Sequence, residues 1–287
     1  PNGSADINHF QAAGGTGLLF SELIDAGLMH GDATVCFGGT LEKACLEPFL
    51  DEGSLRWRAA TDESLDHDVI RSANNAFHPE GGIRLLQGNL GRSLIKTSAV
   101  AKERQRITAQ AVVISDQAEL KALFERGELD RDCVVVARFQ GPAANGMPEL
   151  HQLMPILGVL QDRGHTVALV TDGRLSGASG KVPAAIHVTP EAAKGGAIGR
   201  IQDGDVISLD VAAGELRVAV DEQILADRPH PDTPMARNTV GRGLFKFSRE
   251  VVTDAESGGC TLFEPLVMDD LPLGQSARDV AYEHCAS

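Results

Sequence analysis

Two short stretches of the chain carry the side chains best suited to chemistry. The first, "QGPAANGMPEL" (140–150), carries the carboxylate of Glu149 next to its end. The second, "TDGRLSGASGK" (171–181), holds Asp172, Arg174, Ser176, Ser179 and Lys181 among three glycines. Arg174 and Lys181 in a glycine-rich loop, whose amides can also hold an anion, are the materials of an anion site. Each residue has an ordinary structural reading too. Pro148 and Glu149 suit the first turn of a helix, where proline fits and the dipole favours an acid. Asp172 suits a turn cap, His151 a helix, and the two cations a solvated surface.

Stock motifs do not account for these stretches. A nucleophile elbow needs glycine two residues either side of its serine, and Arg174 and Ala178 stand there. Gly141 and Gly146 have P-loop spacing, but Met147 and Pro148 replace the lysine and hydroxyl. There is no H-E-x-x-H, and no G-x-G-x-x-G follows a strand.

The elements that must position the two loops are legible as patterns. Val134–Phe139 reads as a strand buried on both faces and Thr166–Val170 as another strand, with a helix predicted over Pro148–Arg163 between them. Ala111–Ser115 is a further strand, after which Asp116 caps a helix ending near Gly127. Strands alternating with helices imply parallel neighbours, and ligands of parallel sheets bind beyond the strands' carboxyl ends. Glu149 and Ser176 are therefore expected on facing segments of one rim. Upstream, helices are predicted over Gly14–His30 and over Thr40–Leu50, the latter capped by Thr40, with "HPEGG" (78–82) as a boundary. Downstream, strands over Ala184–Val188, Asp205–Leu209 and Glu215–Val220 predict a β-rich, barrel-like part. The tail after Phe263 shows little periodicity.

Composition narrows the partners. At 43% hydrophobic and 23% charged, 287 residues suffice for a substantial core. A net charge of −14 argues against nucleic acid or an anionic membrane surface, and no apolar run has the length of a membrane helix. Five dispersed cysteines without a C-x-x-C pair suggest reduced thiols in a cytoplasmic protein and do not suggest a metal cage. The opening "PNGSADINHF" reads as mid-chain sequence, so a fragment is expected.

Whole strings say more than their parts. "QGPAANGMPELHQLMPILG" and "ALVTDGRLSGASGKVPAAIHVTPEA" closely resemble the C-terminal half of the dihydroxy-acid and 6-phosphogluconate dehydratase family. So do "PNGSADINHFQAAGG", "GNLGRSLIKTSAV" and "LDRDCVVVARFQGP", which look most like the 6-phosphogluconate branch. The resemblance implies a mixed α/β fold. Its C-terminal domain (78–263) would be β-rich and barrel-like, of the swivelling-domain type, with flanking helices. A helical remnant of an N-terminal cluster-binding domain (1–77) would precede it, and a tail (264–287) would follow.

The resemblance also implies an activity: dehydration of 6-phospho-D-gluconate to 2-dehydro-3-deoxy-6-phosphogluconate by a homodimeric enzyme. Carried over by position, Ser176 is the base at C2 and Glu149 a Mg2+ ligand, with Arg174, Ser179, Lys181 and Asp172 expected to contact substrate. Arg92 and Lys96 compete for the anion-binding role. The family's 4Fe-4S iron–sulfur cluster would have its ligands outside this chain, so the fragment is expected to be inactive alone. Two other readings share these features: a dehydratase of a related dihydroxy or aldonic acid, and a non-catalytic sugar-acid-binding or assembly module.

Overall fold

The continuous apolar runs CVVVA and VALVT become adjacent parallel strands, Cys133 beside Val167 and Val135 beside Leu169. The computed structural model that shows this describes residues 5–36, 38–176, 180–234, 243 and 245–262. The chain divides into two units, Pro1–Gly81 and Gly82–Ser287. Among the described residues no helix is long and apolar enough to cross a membrane.

The first unit holds helices α1 (Ile7–Ala12) and α2 (Gly15–Asp25), then a hairpin of β1 (Leu46–Asp51) and β2 (Ser54–Ala59). Asp6 caps α1, accepting from the amides of Asn8 and His9. The helix predicted over Thr40–Leu50 does not form. One 3-10 turn, Glu42–Ala44, gives way to β1. Pro48 lacks the amide that a helix interior needs, and Gly53, at φ +82°, makes the turn that returns the chain as β2.

The second unit is a closed eight-stranded barrel. Its strands are β3 (Ile83–Gly88), β4 (Gly91–Lys96), β5 (Arg106–Ile114), β6 (Cys133–Ala137), β7 (Val167–Thr171), β8 (Ala184–Thr189), β9 (Val206–Asp210) and β10 (Glu215–Val218). Around the barrel they run β10-β3-β4-β8-β7-β6-β5-β9. The stretch β5-β6-β7-β8 is parallel. Helix α3 (Gln117–Glu125) links β5 to β6, and α4 (Pro142–Asn145) and α5 (Leu153–Asp162) lie between β6 and β7. Two short helices follow the barrel strands, α6 (Glu222–Asp227) and α7 (Lys246–Val251). The expected β-rich barrel with flanking helices is thus the fold.

Why β6 and β7 read as unbroken apolar runs is now physical. Alternate residues point to opposite faces of a strand. Val134, Val136, Ala168 and Val170 join the cluster that fills the barrel. Cys133, Val135, Val167 and Leu169 join a second cluster with Leu120 of α3 and Leu157 and Leu160 of α5. Both faces are covered, so neither face selects polar residues. Closure is helped by Asn89, in the β3–β4 turn, whose amide bonds both the carbonyl (2.8 Å) and the amide (2.9 Å) of Val218.

The helix predicted over Pro148–Arg163 is shorter than its pattern. It begins at Leu153, and residues 148–152 remain loop. Asp116 caps α3 as expected, accepting from Ala118 N at 2.8 Å.

Candidate active site

The loop after β6 is held from beneath by two buried acids. Asp172, fully buried just beyond β7, accepts from the amides of Phe139 (3.1 Å), Gln140 (2.8 Å) and Ala192 (2.9 Å). Burial pushes its carboxyl up to about 6, and the nearby charge of Glu191 adds to this while the amides oppose it. Glu191, also buried, accepts from Ala143 (2.9 Å) and Ala144 (3.1 Å) in the first turn of α4. Gly141 has no room for a side chain there, since a Cβ would run into the Glu191 carboxylate. Asp172, expected to contact substrate, is here engaged with three backbone amides. Its oxygens are taken by backbone donors, and its work is positioning.

Strain gathers at the same place. Phe139, Met147 and His187 all adopt positive φ, at +61°, +51° and +56°. For residues other than glycine such backbones cost about 1–3 kcal/mol each. All three bond to the segment 172–174. Phe139 N donates to Asp172, Arg174 Nε donates to the Met147 carbonyl at 2.9 Å, and His187 N donates to the Gly173 carbonyl at 2.9 Å. His187 sits where β4 and β8 lose register. The step from Arg92 to Leu94 is matched by the longer step from Thr189 to Ile186. Such bulges re-aim side chains.

With 172–174 fixed from three sides, the two loops meet. Glu149 and Arg174 form an isolated parallel bridge. Arg174 Nη1 donates to Glu149 Oε2 at 3.1 Å, and the amide of Ser176 donates to Oε1 at 3.0 Å. The Glu149 side chain is 35% exposed, so its carboxylate is held but reachable. Ser176 is exposed and lines a cavity of about 380 Å³ with Leu94, Lys96, Val182 and His187. Burial first, and the charge of Arg174 second, hold the His187 imidazole below its ordinary pKa.

Not every expected residue joins this cluster. Lys181 is engaged on α5, its ammonium bonding both oxygens of Asp162 at 2.8 and 2.9 Å. Lys181 and Arg174, expected to share one anion site, are here paired with different acids, Asp162 and Glu149. Arg92 pairs with Glu256 at 3.1 Å. Ser179 and the tail after Phe263 lie outside the described residues. Sequence reasoning passed over His187, Gln140 and Glu191. Glu191 carried a signal, an acid just past a strand end in "TPEA"; His187 carried none, because nothing local marks a strand histidine for a bulge.

Of the two implied cofactors, only Mg2+ finds a suitable donor among the described residues, and that is a single carboxylate, Glu149. An exposed-edge carboxylate such as Glu149 suits a hard divalent ion. Among the described residues no group of three or more His, Cys, Asp or Glu is placed to hold a metal. A Mg2+ at Glu149 would therefore draw its other ligands from water or from beyond these residues. An iron–sulfur cluster does not fit the described cysteines. They are scattered, and burial pushes the Cys133 thiol up to about 11, away from the thiolate a cluster needs.

Comparison with known proteins agrees with the fold. Residues 68–259 match the family described as dihydroxy-acid/6-phosphogluconate dehydratase C-terminal. The phosphogluconate dehydratases of Pseudomonas aeruginosa and Escherichia coli K12 are 54% and 55% identical over 93% and 92% of this chain. Each alignment covers 44% of the relative, so the chain spans less than half the length of these relatives. A dihydroxy-acid dehydratase of Ignicoccus hospitalis is 33% identical over 90% of the chain and 44% of its own length. By the extent of these matches, the chain belongs to the dihydroxy-acid/6-phosphogluconate dehydratase family.

Proposed function

We propose that this chain supplies the proton-abstracting side of a 6-phosphogluconate dehydratase, an enzyme that converts 6-phospho-D-gluconate to 2-dehydro-3-deoxy-6-phosphogluconate in the Entner–Doudoroff route. The observation that carries the reading is the meeting of Glu149 and Ser176 on one rim of the barrel. The substrate choice is supported by relatives named phosphogluconate dehydratase at 42–55% identity, against 33% for the dihydroxy-acid dehydratase.

Ser176 Oγ takes the proton from C2. The freed electron pair forms the C2–C3 double bond as the C3 hydroxyl departs, and net loss of water leaves an enol that ketonises. Because the Ser176 hydroxyl is a weak base, it needs positive charge nearby to favour its alkoxide, and Arg174, two residues away on the same loop, would contribute to it. Mg2+, when bound, would supply positive charge for the substrate carboxylate as the proton leaves. Glu149 holds that position and, through the Ser176 amide, fixes the serine's backbone beside it. Burial and the charge of Arg174 both favour the uncharged imidazole of His187, which lines the same cavity. No step is assigned to an iron–sulfur cluster, since the described residues do not form its site.

The test is Ser176→Ala in a polypeptide of the relatives' full length. Loss of a positioned base lowers kcat by about 10²–10⁴-fold and leaves KM for 6-phosphogluconate nearly unchanged. A variant that keeps kcat and loses only KM would overturn the assignment.

A further inference from the structure

The hairpin of the first unit wears its apolar side chains outward. Register sets Leu46 opposite Ala59, Pro48 opposite Trp57, and Leu50 opposite Leu55, so one face carries apolar residues alone. That face is open to solvent, with Leu50 76%, Leu55 62% and Trp57 59% exposed. The opposite face is polar and internally matched. Arg56 pairs with Asp51 at 2.8 Å, Arg58 pairs with Glu47, and the Arg58 guanidinium lies 5.1 Å from the Phe49 ring centre. Nor does the unit have a core to spare, for its buried hydrophobic residues among those described are Ala13, Leu18 and Ile70. A two-stranded ribbon needs a covered apolar face to be independently stable, and a continuous exposed one marks an interaction surface.

Two observations bear on what could cover it. The C-terminal family description begins to match at residue 68, after the hairpin has ended. The chain covers 44% of its Pseudomonas relative, so more than half of that polypeptide has no counterpart here. The hairpin thus lies outside the stretch that the C-terminal description matches. We propose that its apolar face is the seat of a segment from that uncovered portion, one presenting uncharged apolar side chains. The charge-free face excludes a partner recognised by ion pairs.

Trp57 is the chain's one tryptophan and lies in the middle of the face, which makes it the reporter. Hydroxyl-radical footprinting would compare this 287-residue chain with a polypeptide of the relatives' full length that contains it. Oxidation of Trp57 is expected to slow at least several-fold in the longer polypeptide and to stay slow on dilution to monomer. Equal rates in the two proteins would overturn the proposal. So would protection that vanishes on dilution, or that appears in the short chain as its concentration rises, since either makes a second copy the occupant. Leu50→Asp with Leu55→Asp gives an independent arm. The pair should leave the Tm of the short chain unchanged, lower that of the long one and restore fast Trp57 oxidation there. An equal fall in both proteins would place the face inside the chain's own packing and sink the idea. None of these readouts depends on catalysis, so they stand or fall apart from the assignment of Ser176.

Discussion

The carboxylate of Glu149 is shared between Arg174 and Ser176: the guanidinium holds one oxygen at 3.1 Å and the serine's amide holds the other at 3.0 Å. One acid thereby couples the chain's two glycine-rich loops. It also sets up a competition, because a divalent ion at Glu149 must share the carboxylate with Arg174 or displace it.

That competition has a direction. Exposed ion pairs contribute roughly 0.2–1 kcal/mol, so removing the guanidinium with Arg174→Gln should tighten Mg2+ binding by up to about fivefold. Glu149→Gln should weaken it. Calorimetric titration with MgCl2 measures both, and an arginine variant that binds Mg2+ less tightly would show that Arg174 assists the ion.

Asp172 should make part of the stability depend on pH. Burial raises its carboxyl from 3.8 to about 6, so folding favours the neutral form. A raised acid contributes stability that is complete below the unfolded pKa and is lost as pH climbs through the folded one. The stability advantage of the wild type over Asp172→Asn should therefore be largest near pH about 4 and shrink by about 7, as read by urea unfolding. A gap that widens with pH would mean that the three amide bonds outweigh burial.

Gly173 is a packing position. A Cβ there would lie 2.7 Å from Gln140 Cβ and 3.0 Å from Leu150 Cδ1. Gly173→Ala should force the loops apart and cost about 1–3 kcal/mol. Amide exchange should rise at Phe139, Gln140 and Ser176 together, because these amides are held by the two acids that the loops carry.

The second cluster gives a stability control remote from the rim. Leu157 on α5 is fully buried against β6 and β7. Leu157→Ala should lower unfolding free energy by about 2–5 kcal/mol through lost burial and the cavity left behind. Denaturant midpoints at constant slope report the value.

How much of this was legible in the residues varies by element for physical reasons. The runs at β6 and β7 were readable because a strand covered on both faces needs no polar positions. The β5 strand, the Asp116 cap and the three late strands were readable from local signals alone. Thr40–Leu50 was misread because its apolar spacing suits either period, and Pro48 and Gly53 decide for the hairpin. The start of α5 was misread because Pro148 and Glu149 are good first-turn residues. Glu149 instead bridges to Arg174, 25 positions along the chain, which no window around it contains.

The sequence by itself determined the barrel's central strands, the loops that follow them and the family, because burial on two faces and long matching strings leave their mark locally. Only the tertiary structure decided that Asp172 holds backbone, that Lys181 pairs with Asp162 at the end of α5, and that His187 sits at a strained bulge on the cavity wall. Those roles depend on which groups lie across the barrel rim, and such contacts are set by chain closure over many residues rather than by neighbours in sequence.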